Sequence, residues 1–348
     1  MNMTEKSFKI LSIDGGGIRG IYPARFLAEL EDNILVTSDQ RLHNYFDLIC
    51  GTSTGGIIAV GLALGMPAQQ ILDLYRENAR KLFPGRPKMI SYIRKPKYHS
   101  AYLSNLLRSA FQPFSENGDT RLGHAKTRLC IPTFNVGLGK AHVYKTPHHE
   151  GLIRDYQIPA HDVAMSTAAA PLYYKPHSFE YKHVGKSNSI SVFNNVDGAV
   201  IANNPTLLGI IEAHCALKVP LGEIKVLSLG TGHMTFSELS PRRQFGIFYW
   251  LNQQRVFEVM FSAQAQNVDN TIKFLNSGLG QGGQKNFFYQ RVQYDFQKGE
   301  AIAMDENAKD KLLKLEDIGV QSFKEYGAKV KKEFMSSTTK LYKPLKQL

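Results

Sequence analysis

The stretch Gly51-Thr52-Ser53-Thr54-Gly55 limits the folds open to this chain more than any other. It follows the strand-like run Tyr45 to Cys50 and leads into the apolar run Gly56 to Leu64. A Gly-x-Ser-x-Gly between strand and helix is the layout of a nucleophile elbow. There the serine sits on a strained turn at the end of a sheet strand, and flanking glycines let backbones approach closely. The five residues alone say little, because Gly and Ser are common in loops. With that strand and helix around it, Ser53 reads as a nucleophile.

A second glycine cluster has the same setting. Phe8 to Ile13 reads as a buried strand, Asp14-Gly15-Gly16-Gly17-Ile18-Arg19-Gly20 follows directly, and helical periodicity begins at Ile21, Phe26, Leu27 and Leu30. Three glycines between strand and helix expose N–H groups at the positive end of a helix dipole, which suits an anion. Gly15 to Gly20 also fits the G-x-G-x-x-G fingerprint, so a nucleotide-cofactor-binding oxidoreductase is a rival reading. Two features weigh against it. Asp32 lies among helix-ending residues and Asp39 in a polar loop, so neither acid closes a clear second strand, and that strand ends in the serine elbow instead. A Walker-type loop fails as well, since no Gly-Lys-Ser/Thr follows either cluster. The amides of Gly15, Gly16 and Gly17 are therefore read as an oxyanion hole, with Arg19 bracing the loop or adding positive potential.

Acyl transfer also needs a base. An α/β-hydrolase order would place a histidine late in the chain, where only His214 and His233 stand. His214 lies in the helix-like run Pro205 to Leu217, so it packs or faces solvent. His233 follows Gly230-Thr231-Gly232 after the strand-like Ile224 to Leu229 and is a weak third-member candidate. Asp197 is the stronger base. Strand-like Ile190 to Phe193 leads into Asn194-Asn195-Val196-Asp197-Gly198-Ala199, and Asn203-Asn204-Pro205 opens a helix with an Asn cap and an early Pro. Taken alone, Asp-Gly marks a turn; the two glycine motifs raise its weight.

Together these residues resemble a known family. Asp14 to Gly20, Gly51 to Gly55 and Asp197-Gly198-Ala199 look like the three signatures of patatin-like acyl hydrolases, in the same order. Val200 to Thr206 and Leu227 to Thr231 are similar to that family's later blocks, so the resemblance spans about residues 8–320. It implies a Ser–Asp dyad with no catalytic histidine: Ser53 as nucleophile, Asp197 as base, and the Gly15 to Gly17 amides as oxyanion hole. No metal or cofactor is implied. Ser53 would attack an ester carbonyl while Asp197 takes its proton, and water would then hydrolyse the acyl-enzyme. A carboxylate with a reference pKa of about 3.9 is a weak base that gains from desolvation. Such a dyad suits esters better than amides, which favours lipid substrates.

The remaining pattern is α/β. Strands are expected at Phe8–Ile13, Tyr45–Cys50, Arg128–Asn135, His142–Lys145, Ile190–Phe193 and Ile224–Leu229. Helices are expected at Ala68–Leu82, Ala160–Ala168, Pro205–Leu217, Phe245–Phe274 and Asn307–Tyr326. Alternation of this kind predicts a mainly parallel central sheet with helices on both faces, the patatin-like three-layer arrangement, with the site beyond the carboxyl ends of the strands. The 348 residues, 43% of them hydrophobic, show no linker or repeat. One domain over 1–348 is expected, with a core over about 8–320 and a C-terminal helical extension over about 321–348.

Three cysteines, Cys50, Cys130 and Cys215, form an odd set in apolar surroundings, and Met1 to Lys9 is too polar for a signal-peptide core. Gly56 to Leu64 is shorter than the roughly 20 residues a membrane span needs. The expected location is cytoplasmic and peripheral to the inner face of the membrane. With 42 Lys+Arg against 30 Asp+Glu, the chain carries a formal charge of +12. Seven basic residues and no acidic one lie between Arg80 and Lys97, interleaved with aromatics and prolines. That suits anionic headgroups, a nucleotide phosphate, or simply solvation; no nucleic-acid-binding motif accompanies it. Length, motif spacing and this basic stretch look similar to bacterial patatin-like effectors that a cyclic dinucleotide switches on in antiphage defence. The subgroup resemblance implies such an activator, with Arg86, Tyr92, Arg94 and Tyr98 as candidate ligand or membrane contacts. A homo-oligomer is left open. The leading function is a phospholipid acyl hydrolase at a membrane surface, and the alternatives are an oxidoreductase, a non-specific soluble esterase, and a non-catalytic binding protein on the same fold.

Overall fold

The computed structural model describes residues 7–36, 40–85, 95–234, 246, 249–250, 255–277, 286–297 and 299–348. Its centre is an eight-stranded sheet. The strands are β1 (Phe8–Ile13), β2 (Leu48–Gly51), β3 (Arg128–Asn135), β4 (Lys140–Lys145), β5 (His177–Lys182), β6 (Ser189–Asp197), β7 (Ile224–Leu229) and, in the same sheet, β9 (Phe288–Val292). Their order is β5-β6-β3-β2-β1-β7-β9, with β4 also paired to β3. Pairings around β1, β2 and β7 are parallel, whereas β3–β4, β3–β6 and β5–β6 are antiparallel. Two short strands, β8 (His233–Met234) and β10 (Asp295–Phe296), pair outside this sheet.

Helices cover both faces because alternate strand residues point to opposite sides. Leu11 and Ile13 of β1 and Ile49 of β2 join one core with α1 (Ile21–Leu35), α2 (Thr54–Leu64), α3 (Ala68–Leu82), α4 (Ala101–Phe111) and α5 (Ala160–Ala168). Ile10, Leu48, Val226 and Cys130 face a second core. It is closed by Ile210 of α7 (Thr206–Ile211) and Ile272 of α8 (Arg255–Leu275), after the short α6 (Ala199–Ala202). Every residue of α2 is buried, as its unbroken apolar sequence requires. Gly65, at φ 95°, ends it in the left-handed conformation that glycine adopts without penalty.

Several expectations shift. The strand read from Tyr45 starts at Leu48, because residues 42–44 form a 3-10 turn. The helix expected over Pro205–Leu217 is α7 continued by a π-helical turn over Glu212–Ala216. The expected start of the long helix at Phe245 lies outside the described residues, and the described helix begins at Arg255. The helix α9 (Lys309–Phe334) runs unbroken past residue 321 against α1, so no boundary falls there. Residues 335–348 carry no helix; the Thr339 amide donates to the Asn44 carbonyl at 2.7 Å, and the Leu345 amide to that of Pro147 at 2.8 Å. Cys50 and Cys130 are buried as read, but Cys215 is exposed. Among the described residues, no helix is long and apolar enough to cross a membrane.

Candidate active site

One edge of β3 brings the two distant motifs together. Cys130 pairs with Cys50 of β2 on one side and with Lys145 of β4 on the other, so β2 and β4 occupy opposite edges. Further along, Thr133 pairs with His142 of β4 and with Asp197 of β6, which puts β6 on the edge that β2 has left. Asp197 thus enters three residues beyond the Cys50 register, and Ser53 lies three residues beyond Cys50. The side chains meet there: Ser53 Oγ donates to Asp197 Oδ2 at 2.6 Å.

The serine's backbone is strained. Ser53 has φ 54° and ψ −123°, a region side chains avoid, immediately before α2. Its neighbours hold it. The Ser53 amide donates to Thr167 Oγ1 at 3.1 Å, Thr167 in turn donates to the Pro132 carbonyl, and Thr52 Oγ1 donates to the Ala202 carbonyl at 2.6 Å. A Cβ at Gly55 would stand 2.3 Å from the Ile13 carbonyl oxygen, so only glycine lets α2 start this close to β1. Asp197 is 1% exposed. Burial pushes its carboxyl up to about 7, against the pull of the Ser53 hydroxyl and the Ala199 amide, which donates to Oδ1 at 2.8 Å. It is thereby matched to proton transfer near neutrality.

The glycine turn divides its amides. Asp14, Gly15 and Ile18 donate theirs to the carbonyls of Leu229, Asn203 and Met304, and Arg19 to that of Gly16. The Gly15 amide is therefore committed and is withdrawn from the expected oxyanion hole. Gly16 and Gly17 have no such partner among the described residues, and both line the cleft that holds Ser53 and Asp197. Gly17, at φ 59°, takes the left-handed conformation that turns its peptide, and a Cβ there would meet the Met304 carbonyl at 2.2 Å. Asp14 holds the base of the turn. Its carboxylate forms a two-pronged pair with the part-buried Arg291 of β9, which also donates to Ser228 Oγ at 2.7 Å, while Thr231 Oγ1 donates to the Gly15 carbonyl at 2.7 Å.

The wall of the cleft is mostly apolar, with Ile57, Leu103, Tyr174, Phe261 and Met304 among its residues. A smaller, more polar cleft lies behind the turn, lined in part by Arg19, Glu258 and His233. Arg19 pairs there with Glu258 of α8 at 3.2 Å; its charge is neutralised and it braces the loop. His233 contacts Gln266 at 2.7 Å and Asp295 at 3.3 Å and is absent from the wall around Ser53. His214 is exposed, as one of its two readings had it.

The chain matches the patatin-like phospholipase family model over residues 11–210. It is 32% identical over 355 residues to patatin-like protein 2 of Oryza sativa subsp. indica, covering 90% of this chain and 83% of the relative. This chain belongs to the patatin-like phospholipase family. Two bacterial proteins are similar as well. The cGAMP-activated phospholipase of Pseudomonas aeruginosa is 32% identical, over 77% of this chain and 75% of its own. That of Vibrio cholerae is 33% identical, over 74% of each. The family makes this chain a lipid acyl hydrolase with a three-layer α/β fold, and the cofactor-binding oxidoreductase reading falls.

Arg86, Tyr92 and Arg94 lie outside the described residues. Tyr98 is not a surface residue: it is 4% exposed, and its hydroxyl donates to Asp305 at 2.8 Å. Among the described residues, one buried group, Cys130, His148 and Glu212, has metal-ligand chemistry. Lys145 and His148 already take the two carboxylate oxygens of Glu212, so a cation of the chain's own occupies it. Sequence reasoning missed Thr167, Asn203, Arg291 and Met304. Only Asn203 lay in a block marked for the family; the others carry no local motif.

Proposed function

We propose that this family member cleaves ester bonds of membrane phospholipids with a Ser53–Asp197 dyad, the Gly16 and Gly17 amides receiving the oxyanion. The observation that carries the reading is the 2.6 Å bond from Ser53 Oγ to a buried carboxylate at the end of an apolar cleft. Ser53 Oγ attacks the ester carbonyl as its proton passes to Asp197. The charge on the carbonyl oxygen grows toward the two free amides, and the proton returns to the leaving alcohol. The cleft wall takes the acyl chain. Water then repeats the sequence on the acyl-enzyme, with Asp197 as base. Products of wild type, Ser53→Ala and Asp197→Ala on phospholipid vesicles, read by mass spectrometry, test this. Both variants are expected to lose fatty-acid release, with the double variant little worse than either. An Asp197→Ala protein that keeps most of its activity excludes the dyad.

The bacterial relatives named as cGAMP-activated support a second part of the reading, that a cyclic dinucleotide raises the activity of this chain. The comparison is turnover on vesicles with and without cGAMP and related cyclic dinucleotides. Full turnover without nucleotide, across a panel of lipids, removes the activator and leaves a constitutive hydrolase.

A further inference from the structure

The geometry points to Asp305 as a positioning residue for acyl transfer, acting through Met304 on the Gly16–Gly17 turn. The inference rests on the oxyanion reading above. Residues 301–308 form neither strand nor helix, so this segment has no ladder of backbone bonds to hold it. Yet the Met304 carbonyl accepts the Ile18 amide at 2.8 Å and lies against Gly17 so closely that a Cβ cannot enter. Where Met304 stands decides where the Gly17 peptide points.

What holds Met304 is its neighbour. The Asp305 carboxylate accepts the Tyr98 hydroxyl at 2.8 Å and pairs with the Lys97 ammonium, the side chains of Lys97 and Asp305 being 6% and 5% exposed. Tyr98 and Lys97 are themselves fixed to the cleft wall. Their amides donate to the Tyr173 and Leu172 carbonyls at 2.8 Å, and the Tyr98 ring packs on Phe83, Tyr173 and Tyr174. Asn307 adds a bond from its side chain to the Phe83 carbonyl. The segment around Asp305 is therefore a brace between the acyl wall and the oxyanion turn, with the carboxylate as its anchor. A buried ion pair is a poor source of stability compared with apolar packing, but it sets position closely. A misplacement of about 1 Å at a reacting centre can cost about a hundredfold in rate.

Kinetics on a soluble short-chain ester test the brace, with a fluorophosphonate that labels the active serine used to count functional sites. Asp305→Ala is expected to lower kcat per labelled site by about 10–100-fold while KM changes by less than about threefold, since transition-state contacts are lost first. The labelling rate should fall in parallel, while the final labelled fraction stays that of wild type. Asp305→Asn, which can still accept from Tyr98, should fall between. Should Asp305→Ala fail to fold, Tyr98→Phe removes a single hydroxyl and is expected to lower kcat by roughly 3–10-fold. Wild-type kcat per labelled site in these variants, whatever their stability, overturns the inference. Gly17→Ala separates the two layers. A drop in kcat there without one at Asp305 sinks only the brace; no drop at Gly17 sinks the oxyanion reading and the brace with it.

Discussion

Asp197 shows how one residue's environment sets both chemistry and stability. Its carboxyl is raised to about 7 because burial penalises the charge. As the proposed base it must be ionised, so kcat/KM should rise with pH along an acidic limb centred near 7, and a pH–rate profile checks this. The stability sign is opposite. The folded state holds the Asp197 proton more tightly than the unfolded chain, so this contribution is present below the unfolded value of about 3.9 and is lost as pH rises to 7. Asp197→Asn should therefore raise Tm at pH 8 while abolishing turnover, with the gain shrinking as pH falls from 7 towards 4. Calorimetry across that range decides it; a Tm gain that does not vary with pH means the burial of charge is not its cause. Gly16 and Gly17 make the complementary case at the turn. Their amides have no backbone partner among the described residues, whereas those of Asp14, Gly15, Ile18 and Arg19 donate to backbone carbonyls, an allocation that the motif alone does not reveal.

At the level of elements, the glycine turn depends on strands far from it in sequence. Arg291 of β9 grips Asp14 at the end of β1, reaching across β7 where it also meets Ser228. Arg291→Met leaves Asp14 a buried, unpaired charge and should cost about 3–5 kcal/mol in urea unfolding. Adding Asp14→Asn should recover part of that loss; a double variant as unstable as the sum of the two singles means the pair is not coupled. β1, β3, β7, α3 and α5 were legible to the residue because each combines a strong period with clear end signals. α4 escaped although Leu103, Leu107 and Phe111 repeat at helical spacing, since it follows a basic, proline-rich stretch read as loop. β5 alternates as an edge strand should, but its polar residues, from His177 to Lys182, masked the pattern. β9, at the other end of the sheet, is only partly buried, and Gln290 and Arg291 interrupt its apolar run.

Over the whole molecule, a net charge of +12 and the absence among the described residues of any spanning helix bear on how a lipid hydrolase meets its substrate. Exposed cations near an anionic surface contribute about 1 kcal/mol each and are screened over about 8–10 Å at moderate salt. Co-sedimentation should show binding to phosphatidylserine-containing vesicles that falls steeply between low and high salt, with little binding to neutral ones. Equal binding to both vesicle types means that apolar contact, not charge, docks the protein. The basic stretch is only partly available for this, because its far end turns inward: Lys97 and Tyr98 are buried on Asp305.

The sequence by itself located the candidate residues. The serine elbow, the glycine turn and Asp197 each depend on local backbone rules, such as φ above zero, close approach and strand-to-helix turns, and such rules are written in consecutive residues. Ser53 and Asp197 meet within hydrogen-bond distance, and Gly16 and Gly17 line the same cleft. Only the tertiary structure decided which amides of the turn stay free, that Arg19 is neutralised by Glu258, that Arg291 and Thr167 support the site, and that Tyr98 faces inward. Those contacts join residues 114 to 286 positions apart, except for the Arg19–Gly16 bond within the turn, and arise from strand order and packing rather than from any short pattern.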